Sequence, residues 1–127
     1  KAVNRKKLRD FFDSSLFARI KGSPLVKREM RFLTEVPASA IDPDLKGDFT
    51  DEKVIVQGAV DLCFEENGEI IVVDFKTDRT DNPENLAAAY GEQLSIYAAA
   101  CEKIFEKKVK QKIIYSFSLS KEIEISV

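Results

Sequence analysis

An Asn-Gly dipeptide between two apolar segments constrains the fold of this chain more than any other feature. Asn67-Gly68 favours a two-residue type I′ turn, because both residues tolerate positive φ angles. The segments on either side therefore form a hairpin, in which Glu66 pairs with Glu69. Each further pair lies one residue outward on both strands. Counting outward in this register places two aspartates opposite each other.

The two aspartates are Asp61 and Asp74, and side chains alternate between the two faces of a strand. Their predicted face also carries Gln57, Ala59, Cys63, Val72 and Lys76. The opposite face is uniformly apolar, and we expect it to be core: Val60, Leu62 and Phe64 on the first strand, with Ile71, Val73 and Phe75 on the second.

Directly opposed carboxylates repel each other, since their Cβ atoms are only about 4.5–5.5 Å apart. A cation between Asp61 and Asp74 would offset this cost, and two candidates exist. Lys76 is one, in which case the residues form a salt-bridged patch on a solvated face. A divalent metal is the other, because hard cations take carboxylate oxygens. Mg²⁺ or Mn²⁺ could bind Asp61, Asp74 and the backbone carbonyl of Phe75, with Lys76 orienting water or stabilising negative charge. That arrangement suits phosphodiester hydrolysis.

Composition excludes several other chemistries. The 127 residues are enough for one domain with one core. The chain has no histidine, so any hydrolysis rests on carboxylates, lysine and metal. Its two cysteines cannot form a four-cysteine zinc or iron–sulfur site, and we expect both to be reduced core residues. The net charge of −2 argues against a bulk polyanion binder, and no apolar run approaches a membrane span.

The remaining pattern predicts helices and strands in mixed order. Asn82-Pro83 is a helix-start signal, and three- and four-residue apolar spacing extends that helix to about Phe105. Ser14 or Ser15 caps an earlier helix that Gly22 ends. The predicted elements are helices over 3–12, 14–21 and 83–105, strands over 25–36, 54–64, 69–76, 109–119 and 122–127, and a loop over 38–50. This order predicts a mixed α/β (α+β) fold, with a mixed β-sheet flanked by helices.

Three motifs resemble one known family. Gly58-Ala59-Val60-Asp61 is followed by Val73-Asp74-Phe75-Lys76-Thr77-Asp78 and then by Tyr90-x-x-Gln93-Leu94-x-x-Tyr97. This set is similar to the RecB-type branch of the PD-(D/E)XK nuclease superfamily, and within it to the C-terminal nuclease domain of the AddA family of bacterial helicase/nucleases. Arg28-Glu29-Met30-Arg31-Phe32 also resembles that family's Arg-Glu-x-Pro-Phe strand, with Arg31 in place of proline.

The resemblance implies a restriction-endonuclease-like αβββαβ core and a metal-dependent DNA exonuclease. It gives metal ligation to Asp61 and Asp74, catalysis to Lys76, and ordering of the site or DNA contact to Gln93 and Tyr97. For the latter two, packing within the helix stripe is the competing interpretation. The resemblance further implies a cytoplasmic enzyme that processes double-strand DNA ends for recombinational repair, with a partner subunit of AddB type. Helicase and ATPase activity would lie outside residues 1–127, where no Gly-x-x-x-x-Gly-Lys-Ser/Thr loop occurs.

Two departures qualify the resemblance. The family usually carries a histidine on an upstream helix, and this chain has none and begins at Lys1 without methionine. We therefore expect 1–127 to be a single domain truncated from a longer protein. Two alternatives remain. A Cas4-like or phage-type nuclease shares the scaffold but often carries an iron–sulfur cluster. A catalytically silent DNA-binding or subunit-docking module would retain the fold, although it would be free to lose the opposed charges.

Overall fold

Five strands form one mixed sheet in the computed structural model, which describes residues 4–42, 44–79 and 82–125. The strands lie side by side in chain order, from β1 to β5. Only β3 and β4 run parallel, because helix α4 connects them; every other neighbouring pair is antiparallel. Their bounds are β1 Val26–Pro37, β2 Lys53–Glu66, β3 Glu69–Lys76, β4 Val109–Ser116 and β5 Lys121–Glu124. The predicted mixed α/β fold is confirmed.

The helices begin at capping residues that the sequence indicates. Ser14 accepts a hydrogen bond from Phe17 N at 3.1 Å, so it and not Ser15 caps α2. Asn82 accepts one from Glu84 N at 2.9 Å, with proline following at the first helical position. The helices are α1 Arg5–Phe12, α2 Ser15–Lys21, α3 Ala38–Ile41 and α4 Pro83–Phe105.

Both faces of the sheet are covered, so two apolar clusters form instead of one. Helix α4 packs on one face, against residues that include Val56, Val60, Cys63 and Val72. Helices α1 and α2 cover the other face, where the buried residues are Phe11, Leu16, Ile20, Leu62, Phe64, Ile71, Val73, Ile113 and Tyr115. The expected apolar face of the hairpin is therefore confirmed for all its members except one.

Val60 is that exception: it packs beneath α4 with Cys63 and Val72, and not with Leu62 as predicted. Strand β1 explains the change of face. It pairs Arg28 with Leu62 and Met30 with Val60, and the intervening Glu29 has a φ of +50°. A backbone conformation of this kind interrupts the regular pleat, so the alternation of β2 changes phase at Asp61. Simple period-two counting cannot anticipate such a break.

The other differences are local. The predicted loop over 38–50 begins with the single turn of α3, and β4 ends at Ser116, earlier than the predicted 119, before a turn. The final strand covers 121–124, and the predicted extension to 127 lies partly outside the described residues. No helix in the described ranges is long and apolar enough to cross a membrane.

Candidate active site

The hairpin register brings the two aspartates together as predicted. Asn67 and Gly68 have φ angles of +54° and +82°, which is the conformation that a type I′ turn requires. The β2–β3 ladder runs from Glu66–Glu69 to Leu62–Val73. Asp61 and Asp74 are the next residues outward, at the point where the paired part of the two strands ends. The carboxyl groups of Asp61 and Asp74 are in hydrogen-bonding contact, so they can share a cation.

Asp74 is one of two buried polar or charged residues in the described chain, at 4% exposure. Burial is the main cause that raises its pKa to about 6; the nearby Asp61 carboxyl group acts in the same direction and Lys76 in the opposite one. Lys76 Nζ lies 2.9 Å from Asp74 Oδ2, which makes an ion pair. Within the described ranges this contact lacks hydrogen-bond geometry, and Oδ2 receives no other hydrogen bond. A buried carboxylate oxygen is thus left with spare accepting capacity.

Asp61 is fixed by the neighbouring strand. Its Oδ2 accepts a hydrogen bond from the backbone N–H of Phe75 at 2.8 Å, so the carboxylate is held against β3 without a side-chain donor. Asp61 also lines an open cavity of about 660 Å³ on the side of α1 and α2. One carboxylate oxygen is therefore anchored, while the group as a whole faces space that a ligand could enter.

Lys76 supplies the positive charge at this site. Its side chain is 18% exposed and lies between Asp74 and the ring of Tyr90. Burial alone would lower the pKa of Lys76, but the adjacent Asp74 carboxylate outweighs burial and the net pKa is raised. Lys76 is therefore a protonated cation at neutral pH, suited to binding negative charge and not to acting as a base.

The helix motif meets the site through one of its two predicted residues. Tyr97 is half-buried and makes an edge-on contact with Phe32, at 5.7 Å between ring centroids. Burial raises its pKa, and the charge of Asp74 adds to the effect. Gln93 is exposed, so it does not pack on the sheet as its place in the apolar stripe indicated. Its role in DNA contact or site ordering stays a prediction.

Gly58 connects the first motif with the third. A Cβ atom at this position would lie 3.1 Å from Cζ of Phe32 and 3.2 Å from Cε1 of Tyr97. Glycine is required because both rings approach the backbone of β2, three residues before Asp61. The spacing between Gly58 and Asp61 therefore has a physical cause, which the sequence alone does not show.

Sequence reasoning missed the partners of Lys76 on helix α4. Tyr90 places its ring 3.8 Å from Lys76 Nζ, measured to the ring centroid. Its hydroxyl donates a hydrogen bond to Asp78 Oδ2 at 2.6 Å. Only the position of Tyr90, one helical turn before Gln93, could have indicated that it faces the site.

The donor set fits a hard divalent cation. Asp61 and Asp74 offer carboxylate oxygens in contact, one of them without a hydrogen bond, and Phe75 has a backbone carbonyl between Asp74 and Lys76 in sequence. Oxygen donors of this kind suit Mg²⁺ or Mn²⁺, which retain water as further ligands. In the part of the chain that the structure describes, no three acidic, histidine or cysteine side chains cluster to hold a metal. Any metal here would therefore depend on two carboxylates plus the main chain.

Comparisons with known proteins agree with this geometry. The chain is 37% identical to an AddA-type ATP-dependent helicase/nuclease from Clostridium kluyveri, over 99% of its length and 10% of that protein. It is 38% identical to the protein of the same name from Clostridium beijerinckii, over 98% of its length and again 10% of the relative. The chain thus spans about a tenth of these curated relatives.

A solved structure and a family model complete the comparison. The crystal structure of SSO0001 matches 87% of the chain and 46% of its own, with a TM-score of 0.49 and 20% identity, too remote to carry an argument. The model of the PD-(D/E)XK nuclease superfamily matches residues 3–124, which include all three motifs. The chain therefore belongs to the PD-(D/E)XK nuclease superfamily.

Proposed function

We propose that this chain is the metal-dependent DNA nuclease domain of an AddA-type helicase/nuclease. One observation carries the proposal: two carboxylates in contact at the end of a hairpin, beside a protonated lysine, with one buried carboxylate oxygen lacking a hydrogen bond. The relatives named ATP-dependent helicase/nuclease support the same assignment, since they align with nearly the whole chain.

The proposed roles follow from the contacts of each side chain. Asp61, Asp74 and the carbonyl of Phe75 would hold Mg²⁺ or Mn²⁺. Such a metal lowers the pKa of a bound water and neutralises charge on the scissile phosphate. The hydrogen bond from Phe75 N keeps Asp61 in place, and Lys76 stabilises the negative charge that develops on the phosphate.

The wider role forms part of the same proposal. The chain would act as an exonuclease on double-strand DNA ends during recombinational repair, in the bacterial cytoplasm, and its partners would be DNA and a second protein of AddB type. Unwinding and ATP hydrolysis would belong to the rest of the protein, since the chain covers only about a tenth of its relatives. The rival role, a silent docking module, predicts no cleavage at all.

Asp74→Ala in the full-length enzyme tests the catalytic assignment. We expect the variant to lose Mg²⁺-dependent DNA cleavage while its circular dichroism and ATPase activity stay at wild-type levels. Asp48→Ala is the matched control, because Asp48 is an exposed loop aspartate. Cleavage at the wild-type rate by Asp74→Ala would refute the assignment, and a wild type that never cleaves would favour the silent module.

Asp61→Asn tests the metal site in the 127-residue chain itself. Calorimetric titration with Mn²⁺ should show binding to the wild type and weaker binding, on the order of tenfold or more, to the variant. Equal affinity in the two proteins would mean that Asp61 does not contact the metal.

A further inference from the structure

The catalytic lysine candidate is held from two sides. Asp74 contacts Lys76 Nζ at 2.9 Å, and the face of Tyr90 lies 3.8 Å from the same atom, measured to the ring centroid. A lysine ammonium over an aromatic ring is attracted by the negative face of the ring, and the attraction grows when water is excluded. With 18% of the Lys76 side chain exposed, much of the water is excluded here.

Tyr90 is itself anchored by a residue outside the three metal-site positions. Its hydroxyl donates to Asp78 Oδ2 at 2.6 Å, which is short for a hydrogen bond between oxygens and typical of a charged acceptor. Asp78 follows Lys76 by two residues, just past the end of β3. The contact therefore joins the chain after β3 to helix α4, directly beside the lysine.

We propose that Tyr90 and Asp78 are positioning residues for Lys76, an inference that rests on the proposed nuclease function. The ring attracts the ammonium without neutralising it, unlike a second carboxylate. It therefore keeps Lys76 charged and in place when Asp74 engages another cation. A lysine side chain has about 2 kcal/mol of rotamer entropy, and a fixed ring face removes part of that freedom before substrate arrives.

The first test uses a spectroscopic signature that needs neither metal nor substrate. In NMR spectra of the wild-type chain, the ε-methylene protons of Lys76 should be shifted upfield by the ring current of Tyr90. Tyr90→Leu, which keeps apolar volume against α4, should return them to ordinary values, and Tyr90→Phe should retain the shift. Phe105→Leu is the matched control, since Phe105 lies at the far end of the same helix. An unshifted lysine in the wild type, or an unchanged shift in Tyr90→Leu, would overturn the proposal.

The second test measures cleavage by the full-length enzyme. Tyr90→Leu should lower kcat about 5- to 30-fold, with KM little changed, because it removes the alignment of a transition-state group. Tyr90→Phe should recover most of that loss. Tyr90→Phe and Asp78→Ala should each cause the same small loss, and the double variant no more than either, because both break one hydrogen bond.

A Lys76→Met background separates positioning from general destabilisation. Adding Tyr90→Leu there should not reduce the residual rate further, since the group to be positioned is gone. A further loss of similar size would show that Tyr90 acts independently of Lys76, and so would refute the inference. A wild-type enzyme without nuclease activity would instead refute the proposed function, while the NMR result would still decide whether the ring holds the lysine.

Discussion

Asp74→Asn should stabilise the metal-free chain at neutral pH while it removes a proposed metal ligand. Asp74 is 4% exposed and lies against the Asp61 carboxyl group, so its ionised form is disfavoured in the fold. Asparagine has the same shape and can present its oxygen to Lys76 and its N–H to Asp61. The substitution therefore removes the cost of burying a charge without opening a cavity.

The magnitude follows from the raised pKa. Burial, with the neighbouring carboxyl group, shifts the pKa of Asp74 from 3.8 to about 6, and at 1.36 kcal/mol for each factor of ten this is about 3 kcal/mol as an upper bound. The lost attraction to Lys76 offsets part of it, so we expect a net gain of about 1–2 kcal/mol at pH 7. Between about pH 4 and 6 the folded state binds more protons than the unfolded state. Wild-type stability therefore falls with rising pH in that window, relative to the variant.

Urea unfolding at several pH values, with a chelator present, measures this difference directly. The free energies of unfolding of wild type and Asp74→Asn should differ little at about pH 4, diverge up to about pH 6, and then run parallel. Asp48→Asn, an exposed substitution of the same chemistry, should show no such divergence. A variant that is less stable than wild type by the same amount at every pH would refute the reasoning.

Three further predictions concern the frame around the site. Glu66→Gln should cost roughly 0.5–1 kcal/mol at neutral pH and little near pH 2 by urea unfolding, because hydrogen bonds from Arg19 at 2.8 and 2.9 Å lower the pKa of Glu66 to about 2, so the stabilisation present above pH 4.5 is lost as pH falls towards 2. Both side chains stay about a quarter exposed, so solvent screens the pair. Gly58→Ala should cost about 1–3 kcal/mol in the same assay and reduce cleavage, because the new methyl group displaces Tyr97. Gly68→Ala should cost about 1–2 kcal/mol, entirely from its φ of +82°, since no atom lies within 4 Å of the added carbon; equal stability of variant and wild type would contradict each of the three.

Features that depend on neighbouring residues could be predicted from the sequence. The type I′ turn follows from Asn67-Gly68, and the caps of α2 and α4 follow from Ser14 and Asn82. Such features need only a few backbone angles and one side-chain acceptor, all within four residues. The contact between Asp61 and Asp74 is distant in sequence, but it inherits its accuracy from the turn, because a ladder propagates its register.

Features that depend on contacts between distant elements could not be predicted. Glu29 takes a positive φ in a strand, which moves Val60 to the other face, and nothing in its local sequence indicates this. The contact of Tyr90 with Lys76 requires the rotation of α4 relative to β3, which is set by packing across the whole face. Spacing identifies residues on one helical stripe, but not which of them reach past the edge of the sheet.

The role of the turn in fixing the site follows from the burial of β3. Residues 70–74 are all buried, because helices cover both faces of the sheet. In a strand with one solvated face, a slip of one residue would expose apolar side chains and would be strongly disfavoured. Here a slip would exchange one apolar face for another, so burial discriminates weakly between registers. The Asn67-Gly68 turn must therefore carry most of the discrimination, and the contact between two carboxylates distant in sequence depends on the backbone angles of two residues at the opposite end of the hairpin.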